Sequence, residues 1–184
     1  ITSMVKIFPL IFILLWSSAF ITTKPIIDNS DPFAALAFRF LIVALGFFLF
    51  SIFSKQRVII NKKDFLESFF SGVLFHGLYL GGVFFSISKG MPTGIAALIV
   101  TLQPILTNAL SGPILNEKVT SKQWVGVLLG FTGATLVLGF DIGSDIPVIG
   151  LIATIIALIA ITSSTIWQKK LSNNLPLSAS NMYQ

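Results

Sequence analysis

Long apolar runs separated by short polar interruptions dominate the chain. Six blocks, at about residues 5 to 27, 33 to 53, 65 to 88, 93 to 115, 123 to 140 and 146 to 168, each approach the roughly 20 residues a helix needs to cross a bilayer. A seventh opens near Pro176 and stops at Gln184, and the chain begins on Ile1 rather than Met, so the expectation is a fragment of a longer protein. The pattern predicts an all-α membrane protein, a polytopic bundle of transmembrane helices. The fourth block is irregular. Within "TLQPILTNALSGPILNEK", Thr101 to Lys118, Pro104 and Pro113 each remove a backbone hydrogen bond and crowd the preceding turn. Pro104 frees the Val100 carbonyl and predicts a bend with Gln103 beside it, whereas Pro113 loosens the helix end.

Composition agrees with the pattern: 54% of residues are hydrophobic, 10% are charged and the mean hydropathy is +0.92. Soluble domains carry about 25% charged residues. Lys6 followed by an apolar run and "SSA" at Ser17 to Ala19 resembles a signal peptide, but the apolar character continues to Ile27, the length of a full span.

The net charge of +5 does not point to nucleic acid, because the basic residues are neither gathered on a polar face nor interleaved with exposed aromatics. They fit a topology instead. With a cytoplasmic N-terminus, Lys6, Lys55, Arg57, Lys62, Lys63, Lys118, Lys122, Lys169 and Lys170 fall inside, against Lys24 and Lys89 outside, as the positive-inside rule requires. Asp28, Asp31, Asp141 and Asp145 fall on the outer side. The expected location is the inner (plasma) membrane.

Several chemistries are excluded by residue type. No cysteine means no disulfide, thiolate metal site or Cys nucleophile, and a single histidine cannot build a His-rich metal cluster. The phosphate-cradling pattern GxxxxGK[ST] is absent, and the acidic residues sit at span ends or in loops, away from any buried carboxylate pair suited to hydrolysis. The expectation is not an enzyme, with no metal and no organic cofactor.

A few polar residues lie deep in the spans. Trp16, His76 and Gln103 each fall about 14 to 17 Å from their span ends, near the middle of a hydrocarbon core about 30 Å thick. Tyr79 follows His76 by one turn, and Asn108 lies about a turn and a half beyond Gln103. Such groups are costly in hydrocarbon unless they find partners or line a wet cavity. Gln103 and Asn108 also suit interhelical hydrogen bonds, and Trp16 suits packing. His76 is the one imidazole, a functional candidate by default. Arg39 lies about 9 Å inside the second span, where it can bind substrate or snorkel outward. Gly126, Gly130 and Gly133, like Gly77 and Gly81, form small-residue faces suited to close helix packing.

The run "AALIVTLQPILTNALSGPILNEKVTSKQWVGVLLGFTGATLVLG", Ala96 to Gly139, resembles the signature region of EamA-type transporters of the drug/metabolite transporter superfamily. It shares an apolar helix with a mid-span proline, a Glu at its cytoplasmic end and a Gly-spaced helix after it. "WSSAF" from Trp16 and "DPFAALAFRF" from Asp31 are similar to that family's first and second spans. In this chain Asn116 precedes Glu117, where the family pattern usually has glycine.

The resemblance implies ten helices in two five-helix repeats of inverted topology, with substrate between the halves. Pro32 and Pro176 stand 144 residues apart, followed seven residues later by Arg39 and Tyr183, and an odd number of spans between them inverts the second copy. The expected organisation is a first repeat over residues 5 to 140 and the start of a second over residues 146 to 184. The second copy has Ala160 or Ile161 near the position of Trp16.

The reading is a secondary transporter, a permease or exporter of small organic metabolites such as amino acids, working by alternating access. The candidate substrate-pathway residues are Trp16, Arg39, His76, Tyr79, Gln103, Pro104 and Asn108. A non-transporting helix bundle with an assembly or sensor role is the alternative. The partners expected are a small-molecule substrate and the lipid bilayer, with a monomer compatible with the pattern. Proton coupling contributed by this half would run through His76, since Glu67 and Glu117 sit near span ends.

Overall fold

A computed structural model describes residues 2–56, 58–116, 118–138, 146–171 and 176–184. Arg57, Glu117, Asp141 and Asp145 lie outside these, as do the side chains of Lys6 and Lys170 and the predicted end of the fifth span at residues 139 and 140. The described residues are helical with no strand, and five helices are long and apolar enough to cross a membrane. In chain order the elements are α1 (Thr2–Asn29), α2 (Pro32–Phe53), α3 (Lys62–Ser88), α4 (Thr93–Leu115), α5 (Ser121–Leu138), α6 (Val148–Leu171) and α7 (Leu177–Tyr183).

Local chemistry sets several helix ends. The Asp31 carboxylate accepts the backbone N–H groups of Phe33 at 3.0 Å and Ala34 at 2.8 Å, and Pro32 occupies the first turn, where its missing N–H costs nothing. Asn61 caps α3 by accepting the Asp64 N–H at 2.8 Å. At the far end of α4, Asn116 adopts φ 55° and ψ 32°, the left-handed conformation that closes a helix. Glycine reaches this region without strain and Asn is its commonest substitute, which explains why Asn116 can stand where the family pattern usually has glycine.

Two spans depart from regular α geometry. α3 winds as a π-helix from Val73 to Leu80. α4 breaks at Thr101 and Leu102, where Leu102 N–H donates to the Ile99 carbonyl at 3.1 Å and Ile105 N–H to the Leu102 carbonyl at 3.0 Å, both tightened three-residue bonds. The helix resumes at Gln103 with Pro104 in its first turn. The break therefore precedes Pro104, which sits where a proline is tolerated best. Pro113 is carried inside the second segment, which runs on to Leu115.

The core lies where α6 crosses α3. Gly82 is close-packed, since a Cβ there would stand 3.2 Å from both the Ala153 carbonyl oxygen and the Ala157 Cβ. Ser86 Oγ donates to the Gly150 carbonyl at 2.7 Å and lies 2.7 Å from Thr154 Oγ1. Farther along, Ser71 and Ser164 bring their Oγ atoms to 3.3 Å. Small residues let the backbones approach, and hydroxyl pairs then join them where lipid offers no hydrophobic drive between helices. Tyr79, Val83, Ile87, Ala157 and Ile161 belong to one buried cluster.

α7 docks on the ends of α2 and α3, with Ser178 bonded to Gln56, Tyr183 OH donating to the Val58 carbonyl at 3.3 Å and Phe65 edge-on to the Tyr183 ring. α1 and α2 are peripheral and turn Leu14, Leu15, Phe38 and Leu41 outward, a surface suited to lipid. The predicted small-residue face of α5 has no neighbour: nothing among the described residues lies within 4 Å of a Cβ placed at Gly126, Gly130 or Gly133. Gly77 is equally open, and Gly81 meets only the Phe33 ring and its own helix.

Candidate functional site

Aromatic residues on α1, α2 and α3 surround a cavity of about 300 Å³. α1 contributes Phe12, Trp16 and Thr23; α2 contributes Arg39, Phe40 and Val43. α3 contributes the adjacent pairs Phe75/His76, Tyr79/Leu80 and Val83/Phe84, spaced by four residues. In a regular α-helix a four-residue step drifts about 40° around the axis. The wider π-helical turns between Val73 and Leu80 offset that drift and keep two residues per turn on the cavity wall. The deformation of α3 thus has a direct consequence for the site.

The aromatic groups are mutually packed. The Trp16 and Tyr79 rings are nearly parallel, 6.4 Å between centroids and 8° between planes, and Phe12 continues the stack at 5.5 Å from Trp16. Phe75 meets Tyr79 edge-on at 5.3 Å and His76 at 5.1 Å, while the Phe40 ring lies tilted 4.5 Å from the imidazole. Tyr79 is only 2% exposed and anchors the cavity wall in the core. The His76 Nδ1 atom is buried without a hydrogen-bond partner. Beyond Phe40 and His76 a second hollow of about 310 Å³ opens toward Asn181 and Met182 of α7, so the imidazole stands between two cavities.

Arg39 sits two turns into α2 on the wall of the first cavity, with no ion pair or hydrogen bond among the described residues. Of the described acids at this end of the bundle, Asp28 pairs with Lys24 and Asp31 caps α2.

Of the seven residues singled out by sequence, Trp16, Arg39, His76 and Tyr79 thus come together around one cavity, and Gln103, Pro104 and Asn108 line neither hollow. Gln103 faces α6, where its Nε2 donates to Thr165 Oγ1 at 3.2 Å, and it also donates to Thr107 Oγ1, one turn on in α4, at 3.0 Å. Sequence reasoning missed Phe12, Phe40 and Phe75, because 18 phenylalanines in apolar runs carry no local mark of which ones face inward.

The EamA-like transporter family model matches residues 4–139, nearly all of the first five helices. The chain belongs to this family. Five of its described helices are long and apolar enough to cross a membrane, and the family and the relatives named below bear the names of transporters or efflux pumps rather than enzymes. A probable amino-acid metabolite efflux pump of Salmonella typhimurium is 25% identical over 168 residues, 91% of this chain and 54% of that protein. A protein of the same description from Escherichia coli is 23% identical, covering 90% of this chain and 53% of its own length. An uncharacterized transporter of Archaeoglobus fulgidus is 28% identical over 66% of this chain and 43% of that protein. The chain spans about half the length of the curated relatives it matches. No solved structure matches it.

Proposed function

We propose that the protein is a secondary transporter that moves amino acids or related small metabolites across the inner membrane by alternating access, with the cavity between α1, α2 and α3 as part of the substrate path. The observation that carries this reading is the cavity itself, an aromatic hollow with the buried, unpartnered His76 Nδ1 near mid-span and the exposed Arg39 side chain two turns into α2 on its wall. Buried polar groups in hydrocarbon are costly, and a pathway for polar solutes gives them a reason to be there. Its volume is at the lower end of ligand pockets, in keeping with a metabolite rather than a drug-sized compound. Relatives described as probable amino-acid metabolite efflux pumps support the substrate class.

In this proposal residues 5 to 140 form one five-helix repeat and residues 146 to 184 begin an inverted second one, with the N-terminus cytoplasmic. The irregular α3 and the broken α4 are the spans best able to bend when one repeat rocks against the other. Proteoliposomes of the full-length protein, loaded with radiolabelled amino acids, test the function. Counterflow above that of empty liposomes is expected, and its absence across aromatic, branched and small amino acids would overturn the substrate class.

A further inference from the structure

Arg39 is the one cationic side chain among the residues that line the first cavity. A guanidinium held within a membrane span needs an anion or a route to water, and ion-paired arginines normally meet a carboxylate. This one does not. Asp28 is engaged with Lys24, Asp31 with the first turn of α2, and Asp64 and Glu67 stand on the first two turns of α3, toward the opposite end of that helix from Val83 and Phe84. Beside the unmatched cation lies an apolar wall of stacked rings, Trp16, Tyr79 and Phe75, with no carboxylate to hold an ammonium group.

From this arrangement we propose that Arg39 is the charge anchor of the cavity, binding the carboxylate of a substrate whose apolar or aromatic body lies against Trp16, Tyr79 and Phe75. The inference rests on the transport reading and narrows it. The solutes selected are organic carboxylates, amino acids with large apolar side chains among them, and the corresponding amines are rejected. The planar guanidinium can present two parallel N–H donors to one carboxylate, a geometry lysine lacks. An amine of the same body would place its positive charge beside Arg39 and leave that residue unpaired.

Matched pairs of compounds separate this role from the others. Binding of 3-phenylpropionate and phenethylamine, which share a phenylethyl body, is measured by competition on the full-length protein in nanodiscs, for wild type, Arg39→Gln and Arg39→Lys. Wild type should prefer the acid by at least about tenfold, the scale of one charge-assisted hydrogen-bonded contact. Arg39→Gln should remove the preference by weakening acid binding alone, and Arg39→Lys should keep part of it. An unchanged preference in Arg39→Gln, expected if the side chain only snorkels to the interface, overturns the proposal, as does wild type binding the acid no better than the amine. The transport reading fails separately: an acid held through Arg39 but never moved by proteoliposomes sinks transport and leaves the anchor standing.

Discussion

The indole of Trp16 on α1 lies almost parallel to the phenol ring of Tyr79 on α3, with 8° between their planes and 6.4 Å between their centroids. The contact fastens a peripheral helix to the core. Trp16 lines the cavity from the lipid-facing side of the bundle, and Tyr79 reaches it from the buried cluster beside α6.

The two rings should respond differently to truncation. Trp16→Ala removes one wall of the cavity and should weaken substrate binding about tenfold or more, with a smaller loss of about 1 kcal/mol of stability from the broken stack on Tyr79. Tyr79→Ala should instead destabilise the protein by about 3 kcal/mol, since a buried ring is lost from the core. Tyr79→Phe should restore the stability. Parallel melting curves and binding isotherms check both.

Gln103 offers the reverse pattern. Its amide bonds Thr165 on α6 and lines neither hollow, so Gln103→Ala should cost about 0.6 to 2 kcal/mol of stability and leave transport per folded molecule unchanged. A fall in specific transport at normal stability would place Gln103 on the substrate path.

The glycines divide by what surrounds them. A Cβ at Gly82 meets α6 at 3.2 Å, so Gly82→Leu should lower stability by at least about 1 to 3 kcal/mol through overpacking. Gly130→Leu, with nothing within 4 Å, should be tolerated within α1 to α6. Detergent melting of the two variants tests the contrast.

His76 separates two cavities, and Arg39 and Tyr79 are the ionisable side chains that share its first cavity. Any proton dependence contributed by this half should run through the imidazole, so His76→Gln should flatten the transport profile between about pH 5.5 and 8. Equal accumulation by wild type and variant under an imposed proton gradient would assign coupling to another residue.

The apolar blocks mark the helices in the sequence because length and hydropathy are local properties. The polar residues at mid-span mark the site for a related reason: Trp16, Arg39, His76 and Tyr79 stand out against hydrocarbon, and four of the seven candidates share one cavity. Tertiary packing decided the rest. Whether Gln103 faces a cavity or Thr165 depends on the rotation of α4 after its break at Thr101 and Leu102, which no local pattern encodes. The π-helical stretch of α3 is equally silent in composition. The glycine spacing of α5 reads as a packing face although close contacts are made elsewhere, by Gly82 opposite Ala153 and Ala157 and by Gly150 against Met91 and Ser86.

The central claim is that substrate occupies the cavity between α1, α2 and α3, and the absence of cysteine from this chain allows a direct test. Ala19→Cys places a thiol on the cavity wall and Leu110→Cys places one on the exposed face of α4. The rate of maleimide labelling is measured for each in proteoliposomes, with and without a saturating amount of the transported amino acid. The account predicts that substrate slows labelling at position 19 several-fold and leaves position 110 unchanged; equal labelling of Ala19→Cys with and without substrate would contradict it.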